Sequence, residues 1–230
     1  MQQGIDNPIY KLIEGMPKTE ELVVADLGAG TGDLLFFLSM QFKRVYAIDF
    51  SEKMLNIAKE KFIGKKNITF KQGDIRDLSK LGLKLDIAIA INSILCPSIN
   101  DVNKILKEVY DSLKSEGLFI AIFPAMEAVL YHSLLLYENE LSKGGDEDLI
   151  IKNINRRVGK EYCFIPGIFR DKDEKQKFFY KFELERRLKN AGFKHIKFKK
   201  VYYPWGQHGD FESFPNETMM WDWFVFAKKI

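Results

Sequence analysis

Residues 23–33 read Val-Val-Ala-Asp-Leu-Gly-Ala-Gly-Thr-Gly-Asp, an apolar run that ends near an acidic residue and then meets three closely spaced glycines. The run Val23–Leu27 is apolar on both faces, which is typical of a parallel strand covered by helices on each side. Glycines let the backbone turn sharply and approach a ligand, because no Cβ stands in the way. Apolar residues at helical spacing over 31–42 predict a helix after the loop. The stretch therefore indicates a nucleotide-type site, with a glycine turn made only for packing as the alternative.

Two acidic residues distinguish between ligand classes. The dinucleotide-binding pattern requires glycine or alanine at its sixth position, and Asp33 stands there in this chain. Asp26 lies two residues before the first glycine. A pyrophosphate would be repelled by both carboxylates, whereas the sulfonium and ammonium groups of S-adenosylmethionine would be attracted. The charge pattern therefore favours this methyl donor over NAD.

The segment Asp-Leu-Gly-Ala-Gly-Thr-Gly at 26–32 resembles the first motif of the class I S-adenosylmethionine-dependent methyltransferases. The order of predicted elements is similar to theirs through most of the chain, with strands at 23–27, 44–48, 67–71, 85–91, 118–123, 194–202 and 220–228. Helices are predicted at 8–14, 31–42, 51–62, 101–114, 126–141 and 182–190. Alternating strands and helices imply a parallel sheet with right-handed crossovers. We therefore expect an α/β, doubly wound, seven-stranded and mostly parallel sheet of the Rossmann-like methyltransferase kind.

Acidic residues that follow the second and third strands are candidate donor ligands. Asp49 lies 21 positions after Gly28, close to the spacing of about 20 expected for a ribose-binding carboxylate. The alternative for Asp49 is a charge at a helix N-terminus, since Ser51 can cap the next helix. The resemblance implies that Asp74 accepts a hydrogen bond from the adenine amine while the Ile75 amide meets a ring nitrogen. An Asx turn at Asp74 remains the alternative.

Polar residues that follow the fourth strand lie where open α/β sheets bind ligands. We expect Asn92 and Ser93 to approach the transferred methyl group, and Phe50 and Met54 to flank the adenine, although Met54 also suits a helix core. Cys96 is interpreted as a small apolar residue, because no base stands beside it. The predicted donor-binding residues are Asp26, Gly28, Ala29, Gly30, Asp49, Phe50, Met54, Asp74, Ile75, Asn92 and Ser93.

Residues 125–181 depart from the minimal fold, which would pass almost directly from the fifth strand to the last helix. The segment begins with an apolar helix, continues through Gly144 and Gly145, and ends in a predicted hairpin with its turn at 170–174. An insertion after the fifth strand would lie over the active-site edge, so we expect a lid within one methyltransferase domain spanning 1–230. A dimer interface is the alternative, which leaves both monomer and homodimer open.

The loop at 203–219 is rich in aromatic residues, including Tyr203, Trp205 and Phe214. We expect it to line the acceptor pocket, because a solvent-exposed loop does not require so many aromatic side chains. His208 lies in this loop beside a glycine and is the candidate general base, with an ordinary exposed histidine as the alternative.

Composition limits the partners of the chain. Its 230 residues carry 35 basic and 32 acidic side chains, a formal net charge of +3 that provides no electrostatic argument for nucleic acid. The lysines at 194–200 would by themselves suggest a nucleic-acid patch, but the resemblance implies that this strand lies at the sheet edge, where lysines discourage edge-to-edge pairing. The two cysteines form no disulfide framework or metal pattern, and no apolar run reaches the roughly 18 residues that span a bilayer. We expect a cytoplasmic protein without a metal ion or a membrane anchor.

These observations predict an enzyme that moves a methyl group from S-adenosylmethionine, by in-line displacement, to oxygen or nitrogen of a small molecule. Alignment of donor and acceptor and exclusion of water suffice for this chemistry, and a general base is needed only when the acceptor must lose a proton. The alternatives are a methyltransferase that acts on RNA or protein, and a non-catalytic donor-binding protein of the same fold.

Overall fold

A computed structural model describes residues 8–206 and 212–230. Its strands are β1 Val23–Leu27, β2 Arg44–Asp49, β3 Ile68–Gln72, β4 Leu85–Ile91, β5 Leu113–Pro124, β6 Tyr162–Cys163, β7 Ile168–Asp171, β8 Glu174–Lys177, β9 Lys194–Tyr203 and β10 Met220–Lys228. Its α-helices are α1 Pro8–Glu14, α2 Leu35–Gln41, α3 Glu52–Lys61, α4 Ile99–Ser112, α5 Met126–Ser142, α6 Glu147–Glu161 and α7 Lys181–Ala191. Short 3₁₀ helices lie at Thr19–Glu21 and Ile75–Leu81.

The main sheet has seven strands in the order β3-β2-β1-β4-β5-β10-β9. Neighbouring strands from β3 to β5 are parallel, and β10 is antiparallel to both β5 and β9. The predicted α/β, doubly wound and mostly parallel sheet is confirmed, including the lysine-rich strand β9 at its edge. The strand order reverses between β1 and β4, and a reversal of this kind opens a crevice at the carboxyl ends of the strands.

Helices bury apolar side chains against both faces of the main sheet, which explains why β1 and β4 are mostly apolar on both faces. Helices α4 and α7 cover one face with buried residues that include Val102, Ile105, Leu184 and Leu188. Helices α1 and α2 cover the other face with Ile9, Ile13, Leu35 and Leu38. Removal of this apolar surface from water is the main favourable contribution to the fold.

Two predicted helix boundaries were wrong. Helix α2 begins at Leu35 instead of 31, because Gly32 adopts a φ of 86° and ends a turn in which its amide donates to the Ala29 carbonyl at 2.9 Å. Helix α4 ends at Ser112, before Gly117. The chain then enters β5 at once, and Leu113 pairs with Leu85 at the start of β4.

The inserted segment contains more regular structure than the sequence predicted. Helix α6 was not predicted from the sequence. The Asp146 carboxylate caps it by accepting from the Leu149 amide at 2.8 Å. The predicted hairpin is present as β7 and β8, but both strands extend into the predicted turn at 170–174, and β8 ends at Lys177, where the second strand was expected to begin. Strand β6 adds a third strand to this small sheet. Across the described ranges, no helix is both long and apolar enough to cross a membrane.

Candidate functional site

A cavity of about 530 Å³ opens at the carboxyl ends of β1 to β4. Its lining comes from the loops that follow these four strands and from α4, and consists of Gly28, Asp49, Phe50, Gly73, Asp74, Ile75, Arg76, Asn92, Ser93, Leu95, Cys96 and Ile105. The cavity occupies the crevice created by the reversal of strand order, which is where open α/β sheets bind their ligands.

The glycine loop is fixed against the end of β2. The amides of Gly28 and Ala29 both donate to the Ile48 carbonyl, at 2.8 and 2.9 Å. Gly28 has a φ of 78°, and a Cβ at this position would lie 2.4 Å from the Ser93 Cβ. Only glycine therefore allows the loop after β1 to pack so closely against the loop after β4.

Asp49 connects the glycine loop to the start of α3. Its Oδ2 accepts from the Gly30 amide at 2.8 Å, and its Oδ1 accepts from the Ser51 amide at 2.8 Å. Ser51 caps the helix, since its Oγ accepts from the Met54 amide at 3.3 Å. A carboxylate can accept about four hydrogen bonds, so the buried Asp49 side chain has acceptor capacity left for the two hydroxyls of a ribose.

Asp26 is a buried carboxyl group directly below the glycine loop. Its pKa is raised to about 7, chiefly by burial and then by the negative charges of Asp49 and Asp33. Tyr10 of α1 lies near the same charges, because its pKa is raised by burial, by Asp33 and by Asp26. Carboxyl groups crowded in this way are stabilised by a cationic ligand and would repel a phosphate.

Asp74 begins the 3₁₀ helix after β3 with an Asx turn, in which its Oδ1 accepts from the Arg76 amide at 2.8 Å. The Arg76 guanidinium also binds the Asp74 Oδ2, at 2.9 Å from Nε and 2.6 Å from Nη2. The hydrogen bond from the Arg76 side chain is the main reason that the pKa of Asp74 is lowered. The Asx-turn alternative is therefore present, and Arg76 is a cavity residue that sequence reasoning missed.

Asn92 and Ser93 follow β4 at the far side of the cavity. Asn92 has a φ of 46°, its amide donates to the Ile122 carbonyl at 2.9 Å, and its Nδ2 donates to the Asp222 Oδ2 at 3.2 Å. The Ser93 Oγ is buried without a hydrogen-bond partner among the described residues. Burial raises the pKa of the neighbouring Cys96 thiol, which agrees with its interpretation as a small apolar residue.

The structure brings seven of the predicted donor-binding residues to the cavity, namely Gly28, Asp49, Phe50, Asp74, Ile75, Asn92 and Ser93. Ala29 and Gly30 lie behind the cavity, where their backbone amides bind Ile48 and Asp49. Asp26 is buried below the glycine loop, and Met54 on α3 is 40% exposed. Phe50 is 77% exposed at the cavity wall, a position suited to stacking on an adenine. His208 lies outside the described residues.

The side chains at the cavity suit S-adenosylmethionine. Carboxylates stand where its cationic groups would be attracted, and the unpartnered Ser93 hydroxyl is a hydrogen-bonding group in need of a ligand or water. A Rossmann-like sheet in which β10 runs antiparallel between β5 and β9, with an acidic site at its switch point, is typical of the S-adenosylmethionine-binding methyltransferases.

Comparison with known proteins agrees with this class. A methyltransferase-domain family model matches residues 24–117. The chain is 28% identical over 188 residues to a Bacillus subtilis (strain 168) protein named as the methyltransferase YqeM, covering 74% of this chain and 72% of that protein. It is also 28% identical over 202 residues to the demethylmenaquinone methyltransferase of Lactococcus lactis subsp. lactis, covering 83% and 73%. A solved S-adenosylmethionine-dependent methyltransferase from Methanosarcina mazei superposes with a TM-score of 0.65 at 17% identity, covering 97% and 98% of the two chains.

Residues 24–117 match the methyltransferase-domain family, and the enzyme class and the cofactor predicted from the sequence, an S-adenosylmethionine-dependent methyltransferase and S-adenosylmethionine, are confirmed.

Proposed function

We propose that this enzyme transfers the methyl group to oxygen or nitrogen of a small acceptor that is partly apolar or aromatic. The observation that carries the proposal is the position of the inserted segment. The family model ends at residue 117, and the segment at 125–181 follows that boundary. We assign the donor to the matched part and the acceptor to the space between the inserted segment and the described residues of the aromatic loop, at 203–206 and 212–219.

Aromatic contacts join the inserted segment to that loop. On α5, the His132 ring lies 5.9 Å from the rings of both Trp205 and Phe214, and these two rings are 5.7 Å apart. Tyr131 of the same helix lies 5.8 Å from Trp221 of β10. Acceptor pockets in enzymes are mostly apolar with a few placed polar groups, and this aromatic surface supports such a pocket.

The inserted segment also reaches the rim of the donor cavity. The Lys177 amide donates to the Leu95 carbonyl at 2.8 Å, and Leu95 lines the cavity. The Phe179 amide donates to the Pro124 carbonyl at 2.8 Å, and the Met126 amide donates to the Phe179 carbonyl at 3.0 Å. Both ends of the segment are therefore attached to the end of β5, a position from which its middle can cover a bound acceptor. We assign it the role of a lid within a single domain.

The donor's sulfonium carries a methyl group that is already activated for displacement. The residues of this chain then have to align the donor with the acceptor and enclose both. Asp26 and Asp49 provide negative charge for the donor, while Asn92 and Ser93 lie at the side from which an acceptor would approach. The lid excludes water, which strengthens electrostatic contacts and prevents loss of the methyl group to solvent.

A small acceptor is also supported by charge and by one relative. The net charge is small, and the lysine-rich strand β9 has an explanation as a sheet edge. The Lactococcus lactis relative is named for a small acceptor, demethylmenaquinone. Binding of RNA or DNA would instead require a basic track of phosphate contacts beside the cavity.

The test is incubation with S-adenosylmethionine that carries an isotopically labelled methyl group and a cell extract filtered free of macromolecules. We expect a small molecule to gain the mass of one labelled methyl group. Parallel samples contain tRNA, DNA or total protein across a series of salt concentrations. Salt-sensitive binding and labelling of a polymer, with none of a small molecule, would contradict the proposal.

A further inference from the structure

One carboxylate in the aromatic strand β10 is not among the residues that line the donor cavity. Asp222 lies between Trp221 and Trp223, and alternation along the strand places it on the face opposite their side chains. It pairs with Pro124 at the end of β5, so it lies at the same edge of the sheet as the donor cavity. Sequence reasoning missed it, because a single acidic residue in a strand carries no local signal of function.

Two parts of the proposed active site meet at the Asp222 carboxylate. Asn92, which lines the donor cavity, donates its Nδ2 hydrogen to Asp222 Oδ2 at 3.2 Å. The amide of Ala125, the first residue of the inserted segment, donates to the same carboxylate. Asp222 therefore stands between the donor and the segment proposed to cover the acceptor.

The surroundings of Asp222 are costly for a negative charge. Burial raises its pKa to about 6, although the hydrogen bonds from Asn92 and Ala125 both act to lower it. Its titratable neighbour is Tyr203 of β9, whose pKa is raised by burial, then by Asp222 and by Tyr162 of the inserted segment. No cation pairs with Asp222 in the described ranges. An asparagine or a serine at this position could accept from the Asn92 side chain and the Ala125 amide without carrying a charge. A group of this kind is typical of a site selected for chemistry over stability.

We propose that Asp222 contacts the acceptor and takes the proton from its hydroxyl or amino group during methyl transfer. This inference rests on the proposed function and assigns Asp222 as the general base of the reaction. The acceptor atom forms a bond to the methyl carbon as the carbon–sulfur bond breaks and its electron pair stays on sulfur. The acceptor's proton passes to the Asp222 carboxylate and is later released to water. Asn92 orients the carboxylate as a positioning residue.

The pKa of Asp222 suits a proton acceptor at neutral pH. A carboxylate with a pKa near 6 is mostly ionised at neutral pH, and it remains basic enough to receive a proton from an acceptor that is being methylated. Positioned general bases of this kind contribute roughly 100- to 10,000-fold in rate.

The first test compares three variants in the labelling assay with filtered extract. Asp222→Asn keeps the shape and removes the base, and Asp222→Glu keeps a carboxylate. Glu127→Gln is the matched control, since the Glu127 carboxylate also binds β10, through the Trp223 Nε1 at 2.9 Å. We expect Asp222→Asn to lose labelling by about 100-fold or more, to lose the inflection of rate near pH 6 and to keep its affinity for S-adenosylmethionine. Asp222→Glu should recover part of the rate, and Glu127→Gln should keep it. Labelling by Asp222→Asn at the wild-type rate would overturn the inference.

The second test does not depend on an acceptor. The pKa of the Asp222 carboxyl is followed by carbon NMR of the wild-type protein labelled at aspartate, with Asp222→Asn used to assign the signal. If Asp222 faces the methyl side of the donor, the sulfonium should lower this pKa by about 0.5 in complex with S-adenosylmethionine, compared with the uncharged sulfur of S-adenosylhomocysteine. Equal values in the two complexes would overturn the inference. A wild-type protein that binds the donor but labels no small molecule would contradict the proposed function alone.

Discussion

Replacement of Asp26 by asparagine should stabilise the ligand-free protein while weakening donor binding. Asp26 is 4% exposed, and its pKa lies at about 7 in place of 3.8. The folded state therefore binds a proton more tightly than the unfolded state between about pH 4 and pH 7. The free energy of unfolding falls as pH rises through this window, and above about pH 7 the buried charge is present in full.

The expected change in the free energy of unfolding follows from the shift in the Asp26 pKa. One pKa unit corresponds to about 1.4 kcal/mol, so a shift of about three units corresponds to about 4 kcal/mol of destabilisation at high pH. Asparagine removes the charge but leaves a buried amide, which needs partners of its own. We expect Asp26→Asn to gain about 2–4 kcal/mol at about pH 8, or a melting temperature higher by roughly 5–10 °C. At about pH 4, where the wild-type carboxyl is protonated, the two proteins should differ little.

The assay is thermal unfolding at both pH values, with calorimetry of S-adenosylmethionine binding at about pH 8. Loss of the carboxylate should weaken binding by about tenfold or more, since the ligand's cationic charge loses its partner. Asp33→Asn is the matched control, because the Asp33 side chain stands in the same loop at 92% exposure; its stability should change by no more than about 0.5 kcal/mol. An Asp26→Asn protein that is destabilised at about pH 8, or changed equally at both pH values, would refute the reasoning.

Three further predictions concern the donor loop, the base of the inserted segment and its motion. Asp49→Ala should weaken S-adenosylmethionine binding by about 1.5–3 kcal/mol, because the ribose loses an acceptor and the Gly30 amide loses its partner; unchanged affinity by calorimetry in a folded variant would remove Asp49 from the site. Lys177→Met should cost about 1–3 kcal/mol in urea unfolding, because the buried Lys177 Nζ lies 2.7 Å from the Glu183 Oε2 while Glu183 keeps its ion pair with Arg187; a cost below about 0.5 kcal/mol would argue against the ion pair. Amide hydrogen exchange across 126–181 should slow when S-adenosylhomocysteine binds, whereas slow exchange that ignores the ligand would indicate a fixed interface in place of a lid.

Local sequence determined the donor half of this protein. The glycine spacing after Val23–Leu27 implied a backbone that approaches a ligand, and Gly28 packs so closely on Ser93 that no side chain fits. The strand cores and the position of Asp49 at the end of β2 were also predicted, because apolar periodicity and a strand end are read within about ten residues. The start of α2 was not, since a turn ending at Gly32 overrode the apolar pattern.

The contacts at the proposed acceptor side were decided only by the tertiary structure. Asn92 and Asp222 are 130 positions apart and become hydrogen-bonded neighbours because β10 pairs with β5 beside β4. The order and register of strands depend on how whole faces of the sheet are buried. The sequence near either residue therefore does not predict its contact with the other. The same holds for Lys177, whose amide meets Leu95 only when the inserted segment folds back onto the sheet. Contacts that depend on the packing of distant elements are absent from the local sequence.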